Sequence, residues 1–337
     1  MKIWIDIKNS HEPAFFSTIM KALPEHKFYL TSRDWAEISA LLRSYSLDHT
    51  CIGGRTQGSM ARRVAGYWWR VARLAWNVPK FDISICHHSG HCIHATKFRR
   101  RKNITFTDND INIGANKMLF RFIRYLITPK AIPIETLVEQ NAKREAIHQF
   151  NGYKEDLYIA DYEPDPDFLD KLPFREFVTV RPENLQAIYL QKDPETIVPA
   201  LLNRLEEEDR NVLLLPRHES DREYAKGHAN IHIPEEALNG LDTCYYSQAI
   251  LTGAGTFSRE AACMGTPAVS FFPGERILSV DKKMFEDGWV FHSRDPDSIV
   301  DHVLSSSKRT VDLSRSKRVQ GEAFGILQKI IAGEEAG

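Results

Sequence analysis

Short apolar runs alternate with stretches of helical spacing along most of the chain, and this alternation constrains the fold more than any other feature. In the first part, strands are predicted at residues 3–7, 27–30, 81–86, 103–106 and 125–128, and helices at 13–23, 35–42, 59–76, 91–98 and 112–124. Strands that alternate with helices are typical of a parallel sheet with helices on both faces. The sequence therefore predicts an α/β fold with doubly wound parallel sheets.

A segment rich in acidic residues and proline, DYEPDPDFLDKLP at 161–173, interrupts this alternation. Proline ends helices and cannot donate to a sheet, so we expect a domain boundary there. Beyond it, strands are predicted at 176–180, 211–216, 248–252 and 267–272, and helices at 193–208, 220–227, 256–264, 279–287, 296–306 and 314–332. We expect an N-terminal domain at residues 1–165, a C-terminal domain at 166–315, and a final helix at 316–337 that can pack back on the N-terminal domain.

Charge is distributed unevenly between the two halves, although the formal net charge of the 337 residues is only −1. Residues 1–150 carry 23 Lys and Arg against 12 Asp and Glu, whereas the remainder carries 21 against 33. A basic half favours phosphate, anionic lipid or nucleic acid as a partner, unless it is a chance division of solvated surface. The five cysteines form no CxxC pair and no signal peptide begins the chain, so we expect a cytoplasmic location.

The most specific chemical signal is the segment LTGAGTFSREAACMGTPAVSFFPG at residues 251–274. A predicted strand is followed by the small-residue turn Gly253–Gly255 and by a helix that begins at Thr256. Glycines let a ligand approach the backbone, and free amides at a helix N-terminus attract anions. With Ser258 and Glu260 in its first turns, this helix could hold a pyrophosphate and a ribose diol. The alternative is a plain structural turn.

This segment resembles the nucleotide-sugar motif in the C-terminal domain of GT-B glycosyltransferases and of the non-hydrolysing UDP-N-acetylglucosamine 2-epimerases. Glu260-Ala261 is similar to their Glu-Ala pair, and Gly265-Thr266-Pro267 to their Gly-x-Pro strand start. The stretch VTVRPEN at 178–184 is similar to the epimerases' strand ending in His-Arg-x-Glu-Asn, LPRH at 215–218 to a strand end with a basic residue, and GWVFHSRDP at 288–296 to a late Gly…Asp segment. The whole chain resembles an uncharacterised, mainly archaeal family of this superfamily.

The resemblance implies a GT-B-like arrangement of two Rossmann-like domains facing a cleft. The donor nucleotide would lie on the C-terminal domain and the sugar chemistry on the N-terminal domain. The residues that would hold the nucleotide are Gly253, Gly255, Thr256, Ser258 and Glu260. Arg181 and Arg217 would neutralise the diphosphate charge, so that no metal ion or other cofactor is needed.

The resemblance also implies a general-base histidine after the first strand of the N-terminal domain. His11 follows that strand and Asp108 follows a later one. Asp108 would then orient His11 as it takes the proton of the acceptor. The alternative is that both residues cap turns or helices. An epimerase would instead need His218, with carboxylates, near the sugar.

Two further segments carry chemistry whose interpretation stays open. CHHSGHCIH at 86–94 is dense in metal-ligand types, but zinc sites usually join two separated elements, so no metal is expected. Its residues could instead bind sugar hydroxyls or be buried and capping histidines. SMARRVAGYWWRVARLAW at 59–76 predicts a basic, Trp-rich amphipathic helix that could lie on a membrane interface or pack on the sheet. Because no nucleic-acid motif accompanies it, no nucleic-acid partner is expected.

We therefore predict a glycosyltransferase. It would transfer a sugar from a nucleotide-diphosphate donor, expected to be UDP-linked, to an acceptor such as a lipid-linked or surface glycan. One alternative is a non-hydrolysing UDP-N-acetylglucosamine 2-epimerase, and another is a non-catalytic nucleotide-sugar-binding protein. The protein would be cytoplasmic, with peripheral contact to the inner face of the membrane as a further option.

Overall fold

The computed structural model describes residues 1–9, 11–34, 38–54, 56, 58–185, 195–309 and 313–334. The chain divides into two compact units, one formed by Met1–Tyr158 with Arg318–Gly337 and the other by Ile159–Lys317. Each unit is built on one parallel sheet, which confirms the prediction of two doubly wound α/β domains. The first residues of the helices predicted at 35–42 and 193–208 lie outside the described residues.

The first unit contains a seven-stranded parallel sheet in the order β3-β2-β1-β4-β5-β6-β7. Its strands are β1 (Lys2–Asp6), β2 (Lys27–Asp34), β3 (Thr50–Gly54), β4 (Ile83–His87), β5 (Lys102–Phe106), β6 (Tyr125–Pro129) and β7 (Ile147–Phe150). The helices in this part of the chain are α1 (Glu12–Ala22), α2 (Ile38–Ser44), α3 (Met60–Asn77), α4 (Gly90–Phe98), α5 (Ile113–Leu119), α6 (Ile134–Glu139) and α7 (Asp156–Ile159). The sequence did not predict the two edge strands, β3 and β7, because neither contains a continuous apolar run.

The centre of the first sheet is covered on both faces, which explains why its strands read as apolar runs. Ile3, Trp4 and Ile5 of β1 are fully buried, and α1 packs Phe15 and Phe16 into the same core. Each strand ends where its apolar run gives way to polar residues. The polar residues that follow the strands therefore collect along one edge of the sheet.

The second unit contains a six-stranded parallel sheet in the order β10-β9-β8-β11-β12-β13. Its strands are β8 (Val178–Arg181), β9 (Val212–Leu214), β10 (Ile231–His232), β11 (Ala249–Thr252), β12 (Ala268–Ser270) and β13 (Val290–His292). Its helices are α8 (Val198–Glu207), α9 (Gly240–Tyr246), α10 (Gly255–Cys263), α11 (Ser279–Glu286) and α12 (Pro296–Ser305). The strands β10 and β13 and the helix α9 were not predicted, because each is short and without a clear period.

The proline-rich segment at residues 161–173 is a packed part of the second unit. Phe168, only 1% exposed, stacks on Tyr246 with ring centroids 5.2 Å apart. The hydroxyl of Tyr162 donates to the Asp242 carboxylate at 2.5 Å. Two aromatic rings thus attach this segment to α9, although its prolines prevent a long helix.

The last helix, α13 (Ser314–Ala332), contributes most of its length to the first unit. The Gln320 side chain donates to the Leu157 carbonyl at 2.9 Å, and the Glu322 carboxylate accepts from the Asn151 amide at 3.0 Å. Val319 lies so close to Gly152 that a Cβ atom there would be 2.3 Å from it. Within the described ranges, no helix is both long and apolar enough to cross a bilayer.

Candidate functional site

Both sheets have a point at which the strand order reverses, and ligands of doubly wound folds bind outside the carboxyl ends of the strands at that point. In the first sheet it lies between β1 and β4, which pair in parallel. In the second sheet it lies between β8 and β11. The residues that follow these strands are therefore the candidates for chemistry in each unit.

In the first unit, a buried histidine lies between two carboxylates at this edge. The Nε2 atom of His87, the last residue of β4, is 3.3 Å from an Asp108 oxygen, and its Nδ1 atom is 3.8 Å from a Glu12 oxygen. Lys154, itself 4% exposed, donates to the other oxygen of Asp108 at 2.9 Å. Asp108 follows β5 and Glu12 opens α1, so three different elements bring this group together.

The protonation of His87 is controlled by these neighbours. Burial alone would lower the pKa of His87, but the contacts with Asp108 and Glu12 outweigh burial and raise it. The imidazole of His87 therefore holds a proton more firmly than an ordinary histidine. Such a group can donate a proton or stabilise negative charge that develops beside it.

His11 lies at the start of α1, next to this histidine. The ring of His11 meets the ring of His87 edge to face, with centroids 5.4 Å apart. The loop before it is fixed by Glu12, which accepts from the backbone amide of Lys8 at 2.6 Å and from the side chain of Asn9 at 2.7 Å. The structure thus brings His11 and Asp108 to the same place, with His87 between them.

The histidines of the cluster at residues 86–94 have different neighbours. The His94 ring bonds to the Tyr67 hydroxyl at 2.7 Å, and His91 packs on the Tyr67 ring. Burial lowers the pKa of both His88 and His91 to about 3, so both stay neutral at physiological pH. In the described part of the chain, the group of three potential metal-ligand residues whose ligand atoms all lie within 4.8 Å of one another consists of His11, Glu12 and His87.

In the second unit, the turn between β11 and α10 is closely packed against the end of β8. A Cβ atom on Gly253 would lie 2.6 Å from the Cα atom of Glu183, so only glycine fits there. The N-cap residue of α10 is Ala254, whose side chain makes no capping hydrogen bond to the first turn. Uncapped amides at the N-terminus of a helix favour an anion.

Two arginines lie at the same edge. The guanidinium of Arg181, at the end of β8, lies 5.8 Å from the ring centre of Phe257 in the first turn of α10. Arg217 follows β9 and donates to the carbonyl of Pro182 at 2.7 Å. Because β9, β8 and β11 are neighbours in the sheet, Arg217, Arg181 and the start of α10 all lie at the same edge of the sheet, and Arg181 contacts α10 directly.

The other predicted site residues of the second unit lie on α10 or after β9. Gly255 and Thr256 form the first turn of α10, and Glu260 lies half-buried on its second turn. Ser258 is 2% exposed, and its hydroxyl donates to the carbonyl of Gly255 at 2.9 Å within the helix. His218 lies half-buried after β9, with its backbone amide bonded to Asp221.

Three residues of the first unit were not singled out by sequence reasoning. Glu12 is adjacent to His11 in the sequence, and a carboxylate beside a predicted base is a signal that was available. Lys8 and Lys154 gave no such signal, because neither lysine belongs to a motif. The fold buries Lys154 beside Asp108, and it lets the partly buried Lys8 donate from its amino group to the His88 carbonyl.

The comparisons with known proteins agree with this architecture. The profile of a family described as Protein of unknown function (DUF354) matches residues 1–331. The Uncharacterized protein MJ0665 of Methanocaldococcus jannaschii is 27% identical over 321 residues, which cover 90% of this chain and 91% of that protein.

Solved structures with similar folds include two UDP-N-acetylglucosamine 2-epimerases and one glycosyltransferase. The epimerase of M. jannaschii, solved with UDP-GlcNAc and UDP, has a TM-score of 0.71 at 12% identity, covering 98% of this chain and 100% of that chain. The epimerase of Rickettsia bellii has a TM-score of 0.73 at 12% identity, covering 98% and 96%. The glycosyltransferase of kitacinnamycin has a TM-score of 0.59 at 10% identity, covering 100% and 99%. The fold is therefore that of the GT-B proteins, with two Rossmann-like domains.

Proposed function

Given that this chain belongs to the family described as Protein of unknown function (DUF354), we propose from its own geometry that it is a glycosyltransferase that uses a nucleotide-diphosphate sugar. The observation that carries the proposal is that Arg181, Arg217 and the N-terminus of α10 follow three neighbouring strands at one edge of the second sheet. The similar epimerase of M. jannaschii, which was solved in complex with UDP-GlcNAc and UDP, supports a UDP-linked donor.

The second unit would bind the nucleotide. A diphosphate carries charge that two guanidinium groups and a helix N-terminus can match by charge-assisted hydrogen bonds. Gly253 would serve the site indirectly, because its missing side chain lets the turn before α10 pack against Glu183, which follows β8. Glu260 would accept hydrogen bonds from the ribose hydroxyls. Arginines would thus take the role that a metal ion has in other transferases.

The first unit would supply the proton transfer. In the proposed step, an acceptor hydroxyl attacks the anomeric carbon of the sugar, the bond from that carbon to the phosphate oxygen breaks, and the hydroxyl proton passes to His11. The electron pair leaves with the nucleoside diphosphate. Glu12 and Asp108 would stabilise the positive charge on the histidines, and Lys154 would hold Asp108 in place.

Titration with UDP by calorimetry tests the nucleotide site. We expect Arg181→Ala to weaken UDP binding by about 10- to 100-fold, because a hydrogen bond to a charged group contributes about 1.5–3 kcal/mol. The matched control is Arg175→Ala, an exposed arginine upstream that bonds to Asp170. Equal UDP affinity of the two variants would contradict the assignment of the site.

The rate of sugar transfer tests whether His11 is the general base. His11→Ala should abolish sugar transfer but leave UDP affinity unchanged, because the proposal assigns only the nucleotide to the second unit. His228→Ala, at a partly exposed histidine that pairs with Glu206, is the matched control. If His11→Ala transfers sugar at the wild-type rate, another residue is the base.

The second candidate is a UDP-N-acetylglucosamine 2-epimerase, which the acid–base groups around His87 also support. One position argues against it. Val180, fully buried in β8, stands where the epimerase motif carries histidine before its arginine. Incubation with UDP-N-acetylglucosamine alone distinguishes the two functions, because only an epimerase would form the manno-isomer without an acceptor. Binding without any turnover would favour a non-catalytic nucleotide-sugar-binding protein.

A further inference from the structure

The outer face of α3 is apolar, although it is turned away from the sheet. The inner face of this helix buries Arg70, Val71 and Leu74. The opposite face presents exposed residues at intervals of one, three or four positions: Ala61, Ala65, Trp68, Trp69, Ala72 and Trp76. Trp76 is 88% exposed and Trp69 53% exposed. Because the rest of the unit covers only the inner face of α3, the apolar residues on its outer face remain available to a partner.

The apolar face continues onto the next helix. The ring of Trp68 lies 6.3 Å from the ring of Phe98 at the end of α4, and Phe98 is 65% exposed. We call Trp68, Trp69, Trp76 and Phe98 the aromatic face. Single exposed apolar residues need no explanation, but four large ones on two packed helices form a surface for a partner.

The charged side chains on the helices that carry the aromatic face have one sign. Neither α3, α4 nor α5 contains a single aspartate or glutamate. The exposed basic residues on or directly after α3 and α4 are Arg62, Arg63, Arg73, Lys97, Arg100, Arg101 and Lys102. A partner for this surface must therefore be anionic as well as able to accept aromatic rings.

We propose that the aromatic face docks on an anionic lipid bilayer, with α3 lying in the plane of the interface. Tryptophan is the side chain that favours the boundary between headgroups and acyl chains, and flanking arginines attract anionic headgroups. A second copy of the chain fits this surface poorly. A two-fold contact would set the arginines of one copy against the same arginines of the other.

Sedimentation with vesicles tests the proposal. The wild-type protein should bind vesicles of phosphatidylcholine mixed with phosphatidylglycerol, should bind phosphatidylcholine alone much more weakly, and should be released by high salt. The triple variant Arg62→Gln/Arg63→Gln/Arg73→Gln should bind mixed vesicles about 100-fold more weakly, since each arginine near an anionic surface contributes about fivefold. The control Arg144→Gln/Arg175→Gln/Arg222→Gln removes three exposed arginines elsewhere and should bind like the wild type.

The apolar contribution is tested separately. Trp76→Ser should weaken vesicle binding about tenfold, because an inserted aromatic ring loses its apolar burial. Its exposure means that the substitution leaves the fold intact, which circular dichroism checks. The matched control is Leu304→Ser, an exposed apolar residue on α12 of the second unit.

Three results would overturn the proposal. The first is failure of the wild-type protein to bind mixed vesicles at low salt. The second is a dimer in light scattering that Trp76→Ser converts to a monomer, which would assign the surface to a second copy. The third is binding of duplex DNA or RNA that the arginine triple variant abolishes while vesicle binding persists, which would assign it to nucleic acid.

Discussion

Replacement of Arg70 by methionine should strongly destabilise the first unit. Its guanidinium donates to both oxygens of Asp6, at 2.8 and 3.1 Å, and to the carbonyls of Ile52 and Ser32. Arg70 is 2% exposed and Asp6 is fully buried. Methionine keeps most of the volume but leaves the Asp6 carboxylate without its cation.

The magnitude follows from the burial of this ion pair. Removal of one partner of a buried pair costs about 3–5 kcal/mol, which lowers the unfolding midpoint of a domain of this size by about 6–20 °C. Asp6 retains the hydroxyls of Ser89 and Thr31, at 2.7 and 2.8 Å, so the lower part of that range is the more realistic. Thermal unfolding followed by circular dichroism measures the shift. Arg63→Met, an exposed arginine on the same helix, is the control.

The pH dependence gives a second measure of the same pair. Burial raises the pKa of Asp6, but the charge and hydrogen bonds of Arg70, with the hydroxyl of Ser89, outweigh burial and lower it. Because the pKa of Asp6 is lower in the folded than in the unfolded protein, its ionised carboxylate stabilises the fold at a pH above the unfolded pKa of about 3.9. This stabilisation is lost as the pH falls through the folded pKa. The difference between Arg70→Met and the wild type should therefore shrink at acidic pH. Neutralisation of the carboxylate by Asp6→Asn should recover part of the loss. Two results would refute this prediction. One is an Arg70→Met variant as stable as Arg63→Met, and the other is an Asp6→Asn/Arg70→Met double variant whose loss of stability equals the sum of the two single losses.

Three other substitutions test other parts of the structure. Asp108→Asn should lower the pKa of His87, because it removes a carboxylate that raises that pKa; NMR titration of the imidazole measures the change, and an unchanged titration would contradict the contact. Since the pKa of His87 is raised in the folded state, its protonated imidazole stabilises the fold at low pH, and this stabilisation is lost as the pH rises through the folded pKa. In Asp108→Asn the stability of the protein should therefore depend less on pH in this range. Gly253→Ala should cost about 1–3 kcal/mol by overpacking and weaken UDP binding, whereas Gly240→Ala, whose Cβ would lie 3.9 Å from its nearest neighbour, should bind UDP normally in calorimetry. Gly321→Ala should stabilise α13 by about 0.5–1 kcal/mol in urea unfolding, because nothing lies within 4 Å of the added Cβ; a loss of stability would show that the glycine has a packing role.

The architecture could be predicted from the sequence because buried parallel strands are continuous apolar runs. β1, β4 and β11 are such runs, and each was predicted near its observed position. The strands that were missed are at or near sheet edges. β3 (TCIGG) and β13 (VFH) carry too few apolar residues in a row to be distinguished from loops. Their positions depend on pairing with a neighbour that a local pattern does not contain.

The candidate site could be predicted only in part. Sequence position placed His11 and Asp108 after strands, and the parallel sheet brings such residues to one edge. The contact between Asp108 and His87 depends on the order β1-β4-β5, which the sequence does not specify. The sequence groups the histidines of residues 86–94 as one cluster, whereas in the structure β4 ends at His87, His88 has a left-handed backbone (φ 48°), and α4 begins at Gly90.

The division of the chain into units has a consequence for its synthesis. The first unit includes residues 318–337 as well as 1–158, so a ribosome cannot deliver all of it until it has translated the whole second unit. A nascent chain that has emerged only as far as Tyr158 lacks the helix that packs Val319 against Gly152. The second unit, a continuous segment, can therefore mature first even though it is translated later.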